Sequence, residues 1–249
     1  MRTSDSPAAP RAGLSNVVDI VVSPDAAFAR LREVPAWGWA FLVASVLGVA
    51  GSLVVGPAIA HAMDVSLPAQ LAASPQVAKM PADQQATFIA NYLRISHIFA
   101  QWSFVAVPFA LLIAGLVQGV IMLIANAAGK GDGSFRKLFA LSITVTVVGE
   151  GLRSIAFAAI VLVRGTGSFD SITAVQQVVP SLALLAPGAH GALAGFLGGL
   201  NVFYLWAAAL LALGMQRVAR ISPVAAWSTA VVMLLLTACF AAFGASRGG

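Results

Sequence analysis

Charge is what this sequence has least of. Of its 249 residues only 9% are Asp, Glu, Lys or Arg, while 59% are hydrophobic. A soluble domain carries roughly 25% charged residues, so there is too little ionisable side chain to cover a surface facing water. Lipid must do part of the covering, which argues against a soluble globular domain. Carboxylates are the scarcer sign, and the formal net charge of +5 reflects missing acids rather than a dense basic patch; nucleic acid is not an expected partner. Cysteine is almost absent. Cys239, the single one, lies in an apolar run, which excludes an intrachain disulfide framework and a cysteine-based zinc cluster. Signatures of catalysis are also missing: there is no GxSxG, and the glycine-rich stretch Gly129-Lys130-Gly131-Asp132-Gly133-Ser134 lacks the GxxxxGK[ST] order of a phosphate loop and reads as a flexible turn. No nucleophile stands beside a base, so neither an enzyme nor a cofactor is expected.

Long uncharged runs are present instead. A hydrocarbon core of about 30 Å takes about 20 apolar helical residues, because nothing else there satisfies backbone N–H and C=O groups. Five stretches qualify: Trp37 to Ala60, Ile98 to Ala128 with Pro108 inside it, Leu138 to Val163, Ala192 to Ala219, and Pro223 to Phe243 with Ser222 as N-cap. The expected fold class is therefore all-α, a polytopic integral membrane protein of five transmembrane helices plus short amphipathic helices. Residues 1–36 form a cytoplasmic N-terminal segment, and 37–246 the transmembrane domain with outer loops 61–97 and 164–191.

Basic residues beside the spans assign the sides, since loops rich in Lys and Arg stay in the cytoplasm. With the N-terminus inside, Arg2, Arg11, Arg30, Arg32, Lys130, Arg136, Lys137, Arg217 and Arg220 are cytoplasmic, whereas Lys79, Arg94, Arg164 and Arg247 are outside. That asymmetry places the C-terminus outside and requires an odd number of crossings. A cleavable signal peptide is the competing reading of the first span, given Ala58-Ile59-Ala60 and Ala60-His61-Ala62, but the run is longer than a usual signal core. Before it, Ser23-Pro24-Asp25 predicts a short helix with Phe28 and Leu31 on one face. After Pro81, the recurrence of Phe88, Tyr92 and Ile95 predicts an amphipathic helix along the outer surface.

Several groups inside the spans are candidates for function. Ser142, Thr146, Glu150 and Ser154 follow at four-residue intervals, with Arg153 three beyond Glu150, and form one polar stripe. An ionised side chain near the bilayer centre costs about 2.5–3.5 kcal/mol on insertion scales, less with an i,i+3 partner. The stripe is either a proton, ion or substrate seat, or a self-paired bridge that fixes helix packing with help from Gln118. Gly191, Gly195 and Gly199, and likewise Gly115 and Gly119, have the spacing that lets helix backbones approach closely. His61, Asp64, His97 and His190 all fall near the outer surface. They would form a metal site only if they converged; their spacing resembles no known zinc motif, and no resident metal is expected.

Three segments together resemble the Yip family of membrane proteins: Ser23-Pro24-Asp25-Ala26-Ala27-Phe28 ending in Pro35-Ala36-Trp37, then Gly131-Asp132-Gly133-Ser134-Phe135-Arg136-Lys137-Leu138, then Asn201-Val202-Phe203-Tyr204-Leu205-Trp206 continuing to Leu213-Gly214-Met215. In order and spacing they extend over nearly the whole chain. The resemblance implies five transmembrane helices with a cytoplasmic N-terminus, and it adds no catalytic residue. Eukaryotic members are named for interacting with Ypt/Rab GTPases, but the N-terminal segment here is short and Ala/Pro-rich. Where the family often has a proline and apolar residues in its third span, this chain has Gly149-Glu150-Gly151-Leu152-Arg153. The expected function is a non-enzymatic scaffold or interaction protein of the bacterial inner membrane, whose partners are the lipid bilayer and another membrane protein or a second copy. The alternative is a small-solute or ion transporter or channel using the Glu150/Arg153 pair.

Overall fold

The computed structural model describes residues 9–247, so Arg2 lies outside the described residues. The protein is 83% helical and, among the described residues, contains no strand. Helices α1 (Ala9–Val22) and α2 (Pro24–Glu33) form a short hairpin at one end of the bundle. Pro24 opens α2 where a backbone donor would be unsatisfied in any case, and Asp25 lies in its first turn. Phe28 and Leu31 are fully buried. They face Leu138 and Leu141 of α5 (Phe135–Thr146) and Met215 and Val218 of α9 (Val202–Val218) across the main core.

Helix α3 (Gly38–Ala73) has 36 residues and α4 (Ala82–Ala128) has 47, about 54 Å and 70 Å long at 1.5 Å per residue. Both outrun a hydrocarbon core of about 30 Å. The segment 61–97, expected as a loop carrying a separate surface helix, is instead the continuation of both helices, joined by a short turn around residues 74–81. Hydropathy marks an end at the first polar residues, yet alanine-rich polar sequence such as 82–91 is good helix and continues where the apolar run stops. Pro57 and Pro68 lie inside α3 and Pro108 inside α4 without ending either element.

The third crossing is one apolar helical rod of 30 residues, Phe135–Arg164, made of α5, a π-helical turn at Val147–Leu152, and α6 (Arg153–Arg164). Beyond it, residues 165–190 fold over the far end with the short α7 (Ile172–Gln176), where Phe169 and Val175 pack on Val55, Ala58 and Val161. The fourth predicted stretch is not one helix. It is split into α8 (Gly191–Gly199) and α9, and α10 (Pro223–Arg247) closes the chain. Four helices are thus long and apolar enough to cross a membrane: α3, α4, the α5–α6 rod and α10.

At the hairpin end the glycine-rich turn is fixed rather than flexible. The Asn126 side chain donates to Gly133 O (2.9 Å) and accepts from Gly133 N (3.1 Å), while Asp132 N donates to Ala219 O (2.9 Å). The Asp132 carboxylate meets Arg32 at 2.9 Å and Arg220 at 3.8 Å. Lys130 and Arg220 both have positive φ, 53° and 54°, a region that non-glycine residues occupy at a cost. A Cβ on Gly131 would fall 2.6 Å from Ala219 O. Three chain segments, the last turn of α2 at Arg32, the 129–134 turn and the 219–222 connection, are locked into one joint.

Candidate functional site at a broken helix

Glu150 lies in the π-helical turn, near the middle of the α5–α6 rod. Such turns arise where one residue too many is accommodated in a helix, and they frequently mark functional sites. Here the flanking glycines favour it: both are poor helix formers, and Gly149 and Gly151 bring the turn close to Ala207 of α9 and Leu47 of α3. Glu150 Oε2 accepts from Arg153 Nη2 (2.6 Å) and Nε (3.2 Å), and its Oε1 accepts from the Tyr204 hydroxyl (2.6 Å). The Arg153 guanidinium also lies over the Tyr204 ring, 5.4 Å from its centroid. Carboxylate, guanidinium and phenol form one closed cluster in which both carboxylate oxygens are engaged.

Tyr204 reaches Glu150 because of the break in the fourth apolar stretch. At Leu200–Asn201 the helix stops, and residues 180–182 pair with the extended backbone there: Leu182 N donates to Leu200 O and Val202 N to Pro180 O, each 3.2 Å. Non-helical backbone at such a depth is tolerated only when buried in protein or lining a cavity, and here it does both. Asn201 restarts the helix as N-cap, its Oδ1 accepting from Phe203 N (3.1 Å) and Tyr204 N (3.0 Å). The α9 N-terminus therefore points its positive end toward the Glu150 region.

Of the other residues of the predicted stripe, Thr146 stays beside Glu150 on the wall of one cavity, whereas Ser142 and Ser154 face other partners. Ser142 donates to Gln118 Oε1 (2.7 Å), so that Gln118 serves Ser142 and not the charged pair; Thr146 donates to Ile143 O (2.7 Å). Ser154 turns onto Gly51 of α3. The π turn changes the angular step of the helix, and for that reason even four-residue spacing does not keep Ser154 with Glu150. Gly115 and Gly119 lie against Ile143, Phe139 and Phe135; Gly195 and Gly199 lie against Ala241 and Ala238 of α10; Gly191 instead has a positive φ of 54° and no close neighbour. Gly214 faces Leu141 and Phe28, Phe203 is half-buried, and Trp206 is exposed on the outside of α9. Of the histidine set only His97 and Asp64 approach, at 3.0 Å. Among the described residues no three His, Cys, Asp or Glu side chains converge, so His61 and His190 complete no metal site.

Two cavities flank the cluster. The smaller, about 170 Å³, is lined by Gln118, Thr146, Glu150, Tyr204 and Thr237; the larger, about 520 Å³, by Arg153, Asn201, Tyr204 and glutamines 70, 176 and 177. Tyr204 belongs to both and stands between them.

Four spanning-length apolar helices around a polar centre decide the class. The chain is an integral membrane protein. Over 226 residues, which cover 90% of this chain and 87% of the relative, it is 26% identical to "Membrane protein YknW" of Bacillus subtilis (strain 168). No family model matches the chain, and no solved structure matches it. Sequence reasoning missed Tyr204 and Asn201 as members of the polar centre. Their signal was an Asn followed by a Tyr inside an otherwise apolar run, where a cap and a buried hydroxyl both need partners.

Proposed function

We propose that this membrane protein is a non-enzymatic scaffold of Yip type that acts by pairing its long helix α4 with a helix of another membrane protein. The carrying observation is a seam on α4. Phe88, Tyr92, Ile95, Phe99 and Trp102 follow at alternating four- and three-residue steps, and all are exposed, Phe99 by 74%. Such alternation is the heptad pattern of helices that pair side by side. Lipid accounts for exposed apolar residues further along α4, such as Phe109 and Ile113, but about 20 of its 47 residues suffice to cross the core. The seam starts ahead of the apolar run, with Phe88, Tyr92 and Ile95 preceding Ile98, and an exposed apolar stripe longer than a crossing requires marks an interaction surface.

Two further features support the reading. The polar centre is closed on itself, with its two cavities separated by Tyr204, an arrangement suited to a packed bundle. The three Yip-like segments all occupy joints: the start of α2, the locked 129–134 turn and the restart at Asn201.

Site-specific crosslinking in cells tests the proposal. With Cys239→Ser removing the native thiol, a photoreactive group at Tyr92 or Phe99 is expected to capture a discrete membrane-protein adduct, while one at Ala90, exposed on the opposite face of α4, is not. Adducts to lipid alone from both seam positions would defeat the scaffold reading.

A further inference from the structure

The larger cavity carries a chemical preference of its own. Among its lining residues Arg153 is the one charge; no carboxylate lines it, because Glu150 faces the smaller cavity. Arg153 gives Nε and Nη2 to Glu150, and among the described residues its Nη1 donates to nothing. Asn201, 5% exposed, gives both bonds from Oδ1 to the α9 cap, and its Nδ2 likewise has no partner among the described residues. Two unused donors thus line one cavity at the positive end of a 17-residue helix. Donors in that setting, one of them cationic, suit an anionic oxygen group. Thr173 and three glutamines add neutral hydrogen-bonding groups, while Phe157 and Ile172 add an apolar wall. A volume of about 520 Å³ falls within the roughly 300–1,000 Å³ of small-molecule sites.

We infer that this cavity is a binding site for a small amphiphile bearing a carboxylate or phosphate group, held by Arg153 Nη1 and Asn201 Nδ2 with its apolar part against Phe157 and Ile172. The site stands apart from the α4 seam, and either can hold without the other. The anionic group has two possible sources, a soluble organic acid or the headgroup of an anionic lipid.

The glycine at 198 supplies a blocking variant. It lines the cavity, and a Cβ placed there meets nothing within 4 Å, so Gly198→Leu fills the cavity without pushing on backbone. Purified full-length protein in phosphatidylcholine nanodiscs is heated with benzoate, phenyl phosphate or the uncharged isostere benzamide. Benzoate or phenyl phosphate is expected to raise the unfolding midpoint by several degrees and benzamide to leave it unchanged. Both Gly198→Leu and the charge-neutral double variant Glu150→Gln/Arg153→Gln are expected to abolish the rise. A rise produced only by replacing part of the phosphatidylcholine with phosphatidylglycerol, and abolished by Gly198→Leu, assigns the same site to a lipid headgroup. No rise with any anion in either lipid, or a rise that survives in both variants, overturns the inference.

Discussion

At the scale of single residues, the polar centre is held together by what each charge would suffer alone. Glu150 and Arg153 are 31% and 26% exposed at their side chains, so much of their hydration is lost and the pair depends on mutual contact. Removing one partner leaves an uncompensated charge, which in buried pairs costs about 3–5 kcal/mol, whereas removing both together is often close to neutral. Arg153→Gln is therefore expected to destabilise the bundle by an amount on the order of 3 kcal/mol, and adding Glu150→Gln to it to restore most of the loss. Thermal unfolding of the unaltered protein and the two variants in one detergent checks this, and equal midpoints for the single and double variants would contradict it. Tyr204→Phe removes one donor to the carboxylate without changing charge. Its cost is expected to be smaller, about 1–3 kcal/mol for a bonded acceptor left short of one partner.

At the scale of elements, two joints carry more than their lengths suggest. Asn201 caps α9 with two backbone hydrogen bonds, and Asn201→Ala is expected to cost about 1 kcal/mol, in the ordinary range for a lost cap. The 129–134 turn is the stronger case. Gly131→Ala forces a Cβ against Ala219 O, whereas Gly167→Ala places one in open space. The first is expected to lower the unfolding midpoint by several degrees and the second to leave it within error; proteolysis near Arg220 provides an independent readout. These joints also show what the sequence could and could not disclose. Crossing helices were legible because hydrocarbon demands long uncharged runs, a purely local requirement. The helical extension of 61–97 was hidden because hydropathy reports where lipid ends and not where hydrogen bonding ends. The break at Leu200–Asn201 was hidden for another reason: residues 180–182 fill the gap, and pairing between segments that far apart leaves no periodic trace. The Glu150–Arg153 pair was visible as an i,i+3 spacing. Tyr204, 54 residues distant, was not, since only the fold brings it there.

At the scale of the whole molecule, the joint at the hairpin end fixes which segments share a side of the membrane. Arg32, Asp132, Ala219 and Arg220 are within bonding distance of one another through side chains or backbone, and Arg217 meets Asp25 of α2 at 3.2 Å. They cannot be divided by a bilayer. Thr166 lies past the other end of the 30-residue rod, about 45 Å away by helical rise. Most of the basic residues flanking the spans gather with Asp132, so the rule that Lys- and Arg-rich loops stay inside predicts that this end faces the cytoplasm. Single cysteines at Lys130, Arg220 and Thr166, in the Cys239→Ser background, convert this into a measurement with a membrane-impermeant maleimide. In intact spheroplasts Thr166→Cys is expected to label, while Lys130→Cys and Arg220→Cys label only after permeabilisation. Labelling of Lys130→Cys and Arg220→Cys from opposite faces would break the joint itself and with it the packing of α2 on α9. Labelling of both from outside would leave the fold standing and invert it, showing that the charge bias of the loops had been outweighed by the apolar hairpin at the N-terminal end.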